Sequence, residues 1–401
     1  MSNSAYLTSS KATNKLFSVK QSKVVAVLAA FPLHMLKVFG EEYRPKGHYA
    51  TWLPQIAEAW DGQREVEIHW VVMSDLVKER RDVCQWGQMF HVLPTSQSGR
   101  ATTLYRADRR AIGAVLDEIQ ADLIHGWGTE DVYGLAAVLS GRPNIVSMQG
   151  ILSAILLKSW MHPREYFQAL LELYCLRKAQ VITTESEWGA AAVRKRRGIK
   201  PVEIVEYGVQ KVFFSTQWQP VAENNLTIFV GRIEAGKGIQ DLVEAFRDPA
   251  LSGSELVVVG GVEREWAKKL QKEAPTNIRW LGRKTAEETA QYMSKAWCLV
   301  LPTRADTSPN VVKEARVIGL PVITTRNGGQ VSYVKDGEDG YFVECGDVLG
   351  LVEKLKKVFG SMATIKKQGE LGKQRYRDLF VNEQTALKFL KCYKEIKDIT
   401  K

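Results

Sequence analysis

Short runs of β-branched and apolar residues alternate with helical patterns along most of the chain, and this alternation limits the possible folds more than any other feature. The first half contains candidate strands at residues 24–28, 66–72, 123–125, 144–147, 181–183 and 202–205. Candidate helices lie between them, at residues 51–60, 108–120 and 132–139. Strands that alternate with helices in this way predict a parallel, doubly wound α/β sheet.

A second series of the same kind fills the other half of the chain. Its candidate strands lie at residues 227–230, 255–259, 278–281, 297–301 and 321–325. The chain has 401 residues, well above the roughly 150 of one typical domain. We therefore expect two Rossmann-like doubly wound parallel-sheet domains. Ligands bind beyond the carboxyl ends of the strands in such sheets, so two sheets that face each other would form a central cleft for the substrates. The predicted ranges are a disordered leader at 1–22 and domains at 23–207 and 208–375.

The composition excludes several classes of protein. The 45% hydrophobic and 25% charged residues are ordinary for a soluble globular protein. No run of about 18 uncharged apolar residues occurs, so no transmembrane helix is expected. The five cysteines are scattered and lack C-x-x-C spacing, so neither a zinc site nor a disulfide framework is indicated. A reducing cytoplasm is the expected location.

The formal net charge of +10 predicts an anionic partner. No nucleic-acid-binding motif accompanies it, so nucleic acid is not an expected partner. The basic clusters at residues 194–197 and 351–401 fit either solvated helix faces or peripheral attraction to the inner face of an anionic membrane. For the apolar stretch at residues 151–174, core packing is the first explanation and docking on a membrane surface is the alternative.

Residues 302–323 join an apolar strand pattern to a helical pattern, with Ser308 as the expected N-cap and Pro309 as the first helical residue. Backbone amides at the start of a helix lack intrahelical partners and lie at the positive end of its dipole, which suits a phosphate. The amides concerned are those of Asn310, Val311 and Val312.

Two carboxylates flank this anion site. Asp306 precedes the helix on the loop, and Glu314 lies one turn into the helix on the face of Asn310. A ligand with hydroxyl groups on both sides of a phosphate, such as a nucleotide-sugar, fits this layout. The alternative is that Glu314 only complements the helix dipole and that Asp306 only makes the turn.

A second motif follows the strand at residues 227–230. Gly231 ends the strand, so the backbone can approach a ligand, and Arg232 and Lys237 lie five residues apart on the next loop. The guanidinium of arginine binds phosphate oxygens in pairs, and lysine supplies a point charge. The loop therefore suits a diphosphate, and the alternative is a solvated basic loop.

These two motifs together resemble those of retaining GT-B glycosyltransferases of the family 4 type, the glycosyl transferases group 1. The spacing from Asp306 to Glu314 resembles the family's E-x7-E signature, in which the first acid is usually glutamate. The run from Gly231 to Gly238 resembles its G-R-x-x-x-x-K-G element. In this family a last helix crosses back to the first domain, which implies that residues 376–401 do so here.

The resemblance implies transfer of a hexosyl unit, with retention of configuration, from a nucleotide-diphosphate sugar bound by the second domain. It implies that Glu314 binds the ribose hydroxyls and Asp306 the sugar hydroxyls. Arg232, Lys237 and the amides at the helix start would stabilise the diphosphate, so neither a metal nor another cofactor is expected. Further donor contacts are implied for Ser308 and, near the base, for Arg283.

The first domain would bind a glycan or lipid-linked acceptor. Gly47 and His48 lie in the glycine-containing loop before the first helix, and Glu130 follows the strand at residues 123–125. Gln149 stands where members of the family often carry histidine, as a positioning group in the catalytic set with Arg232, Lys237, Asp306 and Glu314. Its alternative role is to satisfy the backbone at the end of a strand.

The segment from Thr184 to Trp188 resembles the family's Ser-Glu turn, without an assigned role. The family and the charge suggest cell-surface polysaccharide or lipid-linked glycan synthesis. Two other functions remain open. One is a nucleotide-sugar isomerase on the same fold, and the other is a non-catalytic nucleotide-sugar-binding scaffold.

Overall fold

A computed structural model describes residues 22–44, 50–96, 99–155, 163–198, 200–221 and 225–396. Within these residues the strands form one sheet from each half of the chain. The strands of the N-terminal sheet are β1 Lys23–Leu28, β2 Val66–Ser74, β3 Arg81–Gln85, β4 Gln88–Pro94, β5 Leu123–Trp127, β6 Asn144–Ser147, β7 Val181–Thr184 and β8 Val202–Ile204. Those of the C-terminal sheet are β9 Thr227–Val230, β10 Leu256–Val259, β11 Ile278–Gly282, β12 Cys298–Leu301, β13 Val322–Thr325 and β14 Gly340–Val343.

Helices and single 3₁₀ turns connect the strands. The helices are α1 Trp52–Ala59, α2 Arg106–Glu118, α3 Val132–Leu139, α4 Leu152–Ile155, α5 Pro163–Lys178, α6 Glu187–Arg197, α7 Lys211–Ser215, α8 Ile239–Ala245, α9 Glu265–Lys272, α10 Ala286–Lys295, α11 Asn310–Ile318, α12 Val348–Phe359, α13 Met362–Tyr376 and α14 Asn382–Glu395. Three of the 3₁₀ turns matter below: Ala235–Lys237, Gly329–Ser332 and Arg377–Phe380.

The strand order confirms the predicted fold class of two doubly wound parallel sheets. The C-terminal sheet has the order β11-β10-β9-β12-β13-β14 and is parallel throughout. The N-terminal sheet has the order β3-β4-β2-β1-β5-β6-β7-β8, with β3 antiparallel to β4. In both sheets the order reverses beside the first strand, which is where doubly wound folds form a ligand crevice.

The central strands are buried on both faces, which explains why their sequences are continuous apolar runs rather than alternating ones. Every residue of β10 and of β12 is buried. Helices cover each side of the C-terminal sheet and form one core with it. The N-terminal sheet separates two cores, one on each face.

Helix α14 packs in the core of the N-terminal sheet, although it follows the C-terminal sheet in the chain. Trp60 Nε1 donates a hydrogen bond to the Ala386 carbonyl at 3.1 Å, and the Tyr393 hydroxyl lies 2.7 Å from His125 Nδ1. The two segments that cross between the sheets are themselves paired, since the Val209 amide donates to the Phe380 carbonyl at 3.0 Å.

Some predictions were incomplete. The sequence patterns did not reveal the hairpin of β3 and β4, whose turn places Trp86 and Gly87 at φ +51° and +66°, or the edge strand β14. The predicted leader lies outside the described residues, except for residue 22. Of the helices in the described ranges, none combines the length and the apolar content that crossing a membrane requires.

Candidate active site

The two predicted motifs meet at the carboxyl edge of the C-terminal sheet. Strand β9 ends at Val230, directly before Gly231, and β12 ends at Leu301, directly before the loop that carries Asp306. These strands are parallel neighbours, so the loops that follow them leave the same edge. The two motifs are far apart in the sequence but are therefore close together in the fold.

Lys237 and Asp306 form the contact between the motifs. The Lys237 ammonium is in ion-pair contact with Asp306 Oδ2, and both side chains are mostly buried, with 20% and 15% of their surface exposed. The other carboxylate oxygen of Asp306 accepts a hydrogen bond from the Ser308 amide at 3.2 Å. A cation and an acid are thus fixed directly before α11.

Gly238 allows the two loops to approach each other. Its φ of +72° lies in the left-handed region, and a Cβ at this position would lie 2.0 Å from the Pro302 carbonyl oxygen. Any side chain here would collide with backbone, which cannot move aside as a flexible side chain would. Glycine is therefore required beside Lys237.

Arg304 holds the loops together. Its amide donates to the Gly236 carbonyl at 2.8 Å, and its Nη2 donates to Asp241 Oδ1 of α8 at 3.0 Å. Its Nη1 donates to the Ala235 carbonyl at 3.2 Å and lies 3.0 Å from Asp241 Oδ2 in an ion-pair contact. These contacts hold the backbone around Lys237 in place, and no pattern in the sequence pointed to Arg304 for this role.

Helix α11 begins one residue later than predicted. Pro309 is the cap, in an extended conformation with ψ 113°, and the first helical residue is Asn310. Ser308 does not cap the helix, because its hydroxyl lies 3.0 Å from the Tyr333 hydroxyl. The Val312 amide donates to the Pro309 carbonyl at 3.0 Å. Of the three amides predicted to lack intrahelical partners, that of Val312 therefore has one.

Glu314 lies one turn into α11 and is half-buried. Burial raises the pKa of its carboxyl to about 7, against the opposing charge of the neighbouring Lys313. Within the described ranges, no side chain or amide donates a hydrogen bond to this carboxylate. An acceptor without a partner is suited to ligand hydroxyl groups.

Arg232 and Arg283 lie at the same sheet edge but outside the Lys237 contact. Arg232 is 66% exposed and pairs with Glu234 at 3.1 Å. Arg283 is exposed as well and pairs with Glu263. Both side chains therefore reach into solvent, where a ligand could recruit them.

Glycines end three adjacent strands of this sheet in a hydrogen-bonded row. The Gly231 amide donates to the Val259 carbonyl at 3.0 Å, and the Gly260 amide donates to that of Gly282 at 2.9 Å. A Cβ on Gly260 would lie 2.1 Å from the Gly231 carbonyl oxygen. Gly260 was not predicted to be part of the site, although a glycine pair directly after an apolar strand was the available signal.

Glu130 and Gln149 are neighbours at the carboxyl edge of the N-terminal sheet, after β5 and β6. A Cβ on Gly128 would lie 2.7 Å from Glu130 Oε2 and 3.9 Å from Gln149 Oε1. Glu130 Oε2 accepts a hydrogen bond from the Thr129 amide at 2.9 Å. Loss of hydration raises the pKa of the Glu130 carboxyl, and backbone amides oppose that shift. Gly47 and His48 lie outside the described residues.

A turn of the N-terminal domain contacts the loop of Asp306. Ser186 Oγ donates to the Thr307 carbonyl at 2.7 Å, and the Tyr333 hydroxyl donates to the Glu185 carbonyl at 2.6 Å. This turn resembles the family's Ser-Glu turn in sequence, but no role was predicted for it. Its contact partners lie more than a hundred residues away, so no local pattern could identify them.

No metal centre is visible in the part of the chain that the structure describes: no three histidine, cysteine or acidic side chains are grouped there as metal ligands. The five cysteines are all unpaired thiols. The polar groups at the two sheet edges are cations, carboxylates and amides, which suit an anionic ligand rich in hydroxyl groups.

Comparison with known proteins agrees with this chemistry. Residues 211–375 match the family described as glycosyl transferases group 1. An uncharacterised glycosyltransferase of Methanocaldococcus jannaschii is 27% identical over 288 residues, which cover 71% of this chain and 78% of the relative. A capsular polysaccharide biosynthesis glycosyltransferase of Staphylococcus aureus is 28% identical over 174 residues, 42% of this chain and 45% of its own length.

Solved structures of the same architecture cover nearly the whole chain. The sucrose-phosphate synthase of Thermosynechococcus elongatus superposes with a TM-score of 0.76 at 18% identity, over 93% of this chain and 98% of its own. An Anabaena protein solved in complex with UDP and glucose superposes with a TM-score of 0.68 at 15% identity, over 94% and 100%. The C-terminal domain therefore matches the model of the glycosyl transferases group 1 family, and the two domains together have the GT-B fold.

Proposed function

We propose that this protein is a retaining, metal-independent glycosyltransferase of group 1 and of the family 4 type. It moves a hexosyl unit from a nucleotide-diphosphate sugar to a glycan or lipid-linked acceptor, in the cytoplasm, for cell-surface polysaccharide synthesis. The contact between Lys237 and Asp306 carries the proposal, because it joins a phosphate-binding cation to a sugar-binding acid at the start of α11.

The proposed donor site follows from this arrangement. Lys237 and the recruited Arg232 bind the diphosphate together with the amides of Asn310 and Val311. Glu314 accepts hydrogen bonds from the ribose hydroxyls, since its carboxylate lacks a donor among the described residues. The Anabaena protein of the same fold was also solved with UDP and with UDP-glucose, which supports a nucleotide-sugar as the donor.

The chemistry depends on stabilising the leaving group. The bond between the anomeric carbon and the diphosphate oxygen breaks, and its electron pair leaves as negative charge on that oxygen. The acceptor oxygen bonds to the same face of the sugar and gives its proton to the leaving phosphate. Lys237 faces the growing charge from a fixed position, and preorganised charge of this kind supplies much of the rate enhancement of enzymes. Gln149 and Glu130 position the acceptor.

The donor class is tested by thermal unfolding with nucleoside diphosphates and their sugars. A ligand at 100 times its Kd stabilises a protein by about 2.7 kcal/mol, so binding is easily seen. We expect a shift for one base that is lost in Arg232→Ala and Glu314→Ala. If the well-folded protein shifts with no nucleotide, the proposed donor site is wrong.

The reaction is tested by incubating the protein with the donor so identified. Release of nucleoside diphosphate together with a glycosylated acceptor of retained configuration is expected, and it should persist in excess chelator. A rearranged nucleotide-sugar formed without acceptor would show an isomerase, and binding without turnover would show a scaffold.

We also propose peripheral contact with an anionic membrane. Helix α5 exposes Tyr166, Leu170 and Tyr174 on one face, and the basic last turn of the adjacent α6 includes Arg194 and Lys195. Exposed apolar and aromatic side chains on one helix and basic residues on the next suit the interface of a lipid bilayer. The wild type should sediment with phosphatidylglycerol vesicles but not with phosphatidylcholine vesicles, and Leu170→Ser should weaken that sedimentation. Equal sedimentation of both proteins would exclude this surface.

A further inference from the structure

Lys313 is a fully buried cation beside the candidate donor site. It precedes Glu314 on α11, and none of its surface is exposed. Its ammonium pairs with Glu185 Oε2 at 2.5 Å and lies 3.3 Å from Asn310 Oδ1. A buried lysine without a counter-charge is strongly destabilising, so the position of Lys313 depends on that of Glu185.

The pair of Glu185 and Lys313 joins the two domains. Glu185 directly follows β7 of the N-terminal sheet, whereas α11 packs on the C-terminal sheet. Glu185 is 6% exposed. The ion pair is therefore shielded from water only while the two domains are in contact.

The turn that supplies Glu185 also holds the backbone of the candidate donor loop. Ser186 donates to the carbonyl of Thr307, the residue between Asp306 and Ser308. Tyr333 links the same elements, because its hydroxyl contacts both the Glu185 carbonyl and the Ser308 side chain. One turn of the N-terminal domain thus contacts the loop directly at Thr307 and, through Tyr333, at Ser308.

The ammonium of Lys313 also lies where the chain crosses between the domains. It is 3.4 Å from the Tyr207 carbonyl of the first crossing. The ring centroid of Phe380, in the second crossing, lies 6.0 Å away. The rings of Tyr207 and Tyr333 lie at 5.8 and 5.9 Å. Aromatic faces at these distances stabilise a desolvated cation.

Small residues permit the close approach. A Cβ on Gly329 would lie 1.9 Å from the Thr307 carbonyl oxygen and 2.6 Å from Ser186 Oγ. A Cβ on Gly189, in the first turn of α6, would lie 3.4 Å from the Thr307 methyl group. The contact between the domains is therefore a packed surface rather than one ion pair in a gap.

We propose that Glu185 and Lys313 are positioning residues that hold the domains together and the donor loop in its binding shape, so that the N-terminal domain sets donor affinity. This rests on the proposed donor site. Neither residue contacts the donor: Glu185 acts through Ser186 and the Thr307 backbone, and Lys313 acts by keeping Glu185 in place.

The structure contains a matched control on the same helix. Arg316 lies three residues after Lys313, is equally buried, and pairs with the fully buried Asp339. Both partners belong to the C-terminal domain. Arg316→Met therefore removes a buried cation of α11 without removing a contact between the domains.

The test uses Glu185→Gln, Lys313→Met, the double variant, Ser186→Ala and Arg316→Met in the full chain. Small-angle scattering without ligand measures the radius of gyration. Calorimetry measures the Kd of whichever of UDP, GDP or ADP the wild type binds most tightly. Glu185→Gln and Lys313→Met should each increase the radius of gyration and weaken binding about tenfold or more, because each leaves one buried polar partner uncompensated.

The remaining variants separate positioning from general destabilisation. The double variant should bind the nucleotide more tightly than the summed losses of binding free energy in the two single variants predict, since neither charge is then left unpaired. Ser186→Ala keeps the ion pair and should weaken binding about threefold, the loss of one modest hydrogen bond. Arg316→Met should lower the melting temperature while scattering and Kd stay as in the wild type.

Each failure has its own signature. If Glu185→Gln, Lys313→Met and Ser186→Ala keep the scattering and Kd of the wild type, the positioning role is wrong while the donor site stands. Equal loss of binding in Arg316→Met would show destabilisation of α11 instead of coupling between domains. If the wild type binds none of the three nucleotides, the proposed donor site is wrong. The scattering of the two charge variants still decides whether the pair holds the domains together.

Discussion

The two sides of the candidate site are built differently. On the C-terminal side two ion pairs join the loops at the sheet edge, that of Lys237 with Asp306 and that of Arg304 with Asp241. On the N-terminal side Glu130 and Gln149 stand beside each other on strand-end loops, and Glu130 is held by a neighbouring amide. The fixed side suits one demanding task, the stabilisation of charge. The open side suits hydroxyl groups of an acceptor.

Removal of the fixed cation should have the largest effect. Lys237→Ala should lower kcat about 100- to 1,000-fold, the usual cost of losing one preorganised charge-stabilising donor, in steady-state assays with the identified donor. Lys268→Ala is the control, since this lysine forms an exposed ion pair on α9, and it should leave kcat unchanged. A normal kcat in Lys237→Ala would show that the C-terminal side does not stabilise the charge of the leaving group through this lysine.

The rigidity of the donor side should depend on Gly238. Gly238→Ala should lower the free energy of unfolding by about 1–3 kcal/mol, measured by urea titration, because its Cβ would collide with the Pro302 carbonyl at a positive φ. Gly236→Ala is the control in the same loop, where a Cβ meets nothing within 4 Å. Equal stability of the two variants would show that the loops can separate.

Donor binding should depend on pH through Glu314. Burial raises the pKa of its carboxyl to about 7, so the carboxylate that we propose to accept the ribose hydroxyls is lost as the pH falls through 7. The affinity for a nucleotide-sugar, whose diphosphate stays charged throughout, should fall about fivefold from pH 8 to pH 6, the difference between a charged and a neutral acceptor. In Glu314→Gln the affinity should be weak and independent of pH. A persistent pH dependence in this variant would assign the effect to another group.

The smallest effect is expected on the open side. Glu130→Gln should raise the KM of the acceptor a few-fold, as expected when a charged hydrogen bond becomes a neutral one, and should leave the KM of the donor unchanged. Kinetics with each substrate varied in turn measure both. A change in the donor KM instead would show that the two sides are not independent.

Most of the fold was predictable from the sequence because buried parallel strands leave continuous apolar runs that alternate with helices. The hairpin of β3 and β4 was missed for two reasons. Strand β3 has exposed positions, so it lacks a continuous apolar run. The turn between the strands is made by Trp86 and Gly87, which is not a common turn pair. The meeting of Lys237 with Asp306 was also predictable in outline, because parallel neighbouring strands deliver their loops to one edge.

What the sequence did not reveal were contacts between residues far apart in the chain. Ser308 has the pattern of an N-cap, but Tyr333 lies beside its hydroxyl and the cap falls on Pro309. Lys313 looks like a solvated helix residue and is buried because Glu185 approaches from another domain, 128 residues earlier. Helix propensity and capping patterns depend on neighbouring residues in the sequence, so they cannot predict a contact that forms only in the tertiary fold.

The packing of α14 has a consequence for the order in which the molecule is made. The N-terminal sheet leaves the ribosome first, yet its core includes Phe389 and Tyr393, which are synthesised after the whole C-terminal sheet. The C-terminal sheet is assembled from one continuous stretch of chain and does not wait for later residues in the same way. Although domains generally fold in the order of their synthesis, the half of this protein that is translated first is completed last.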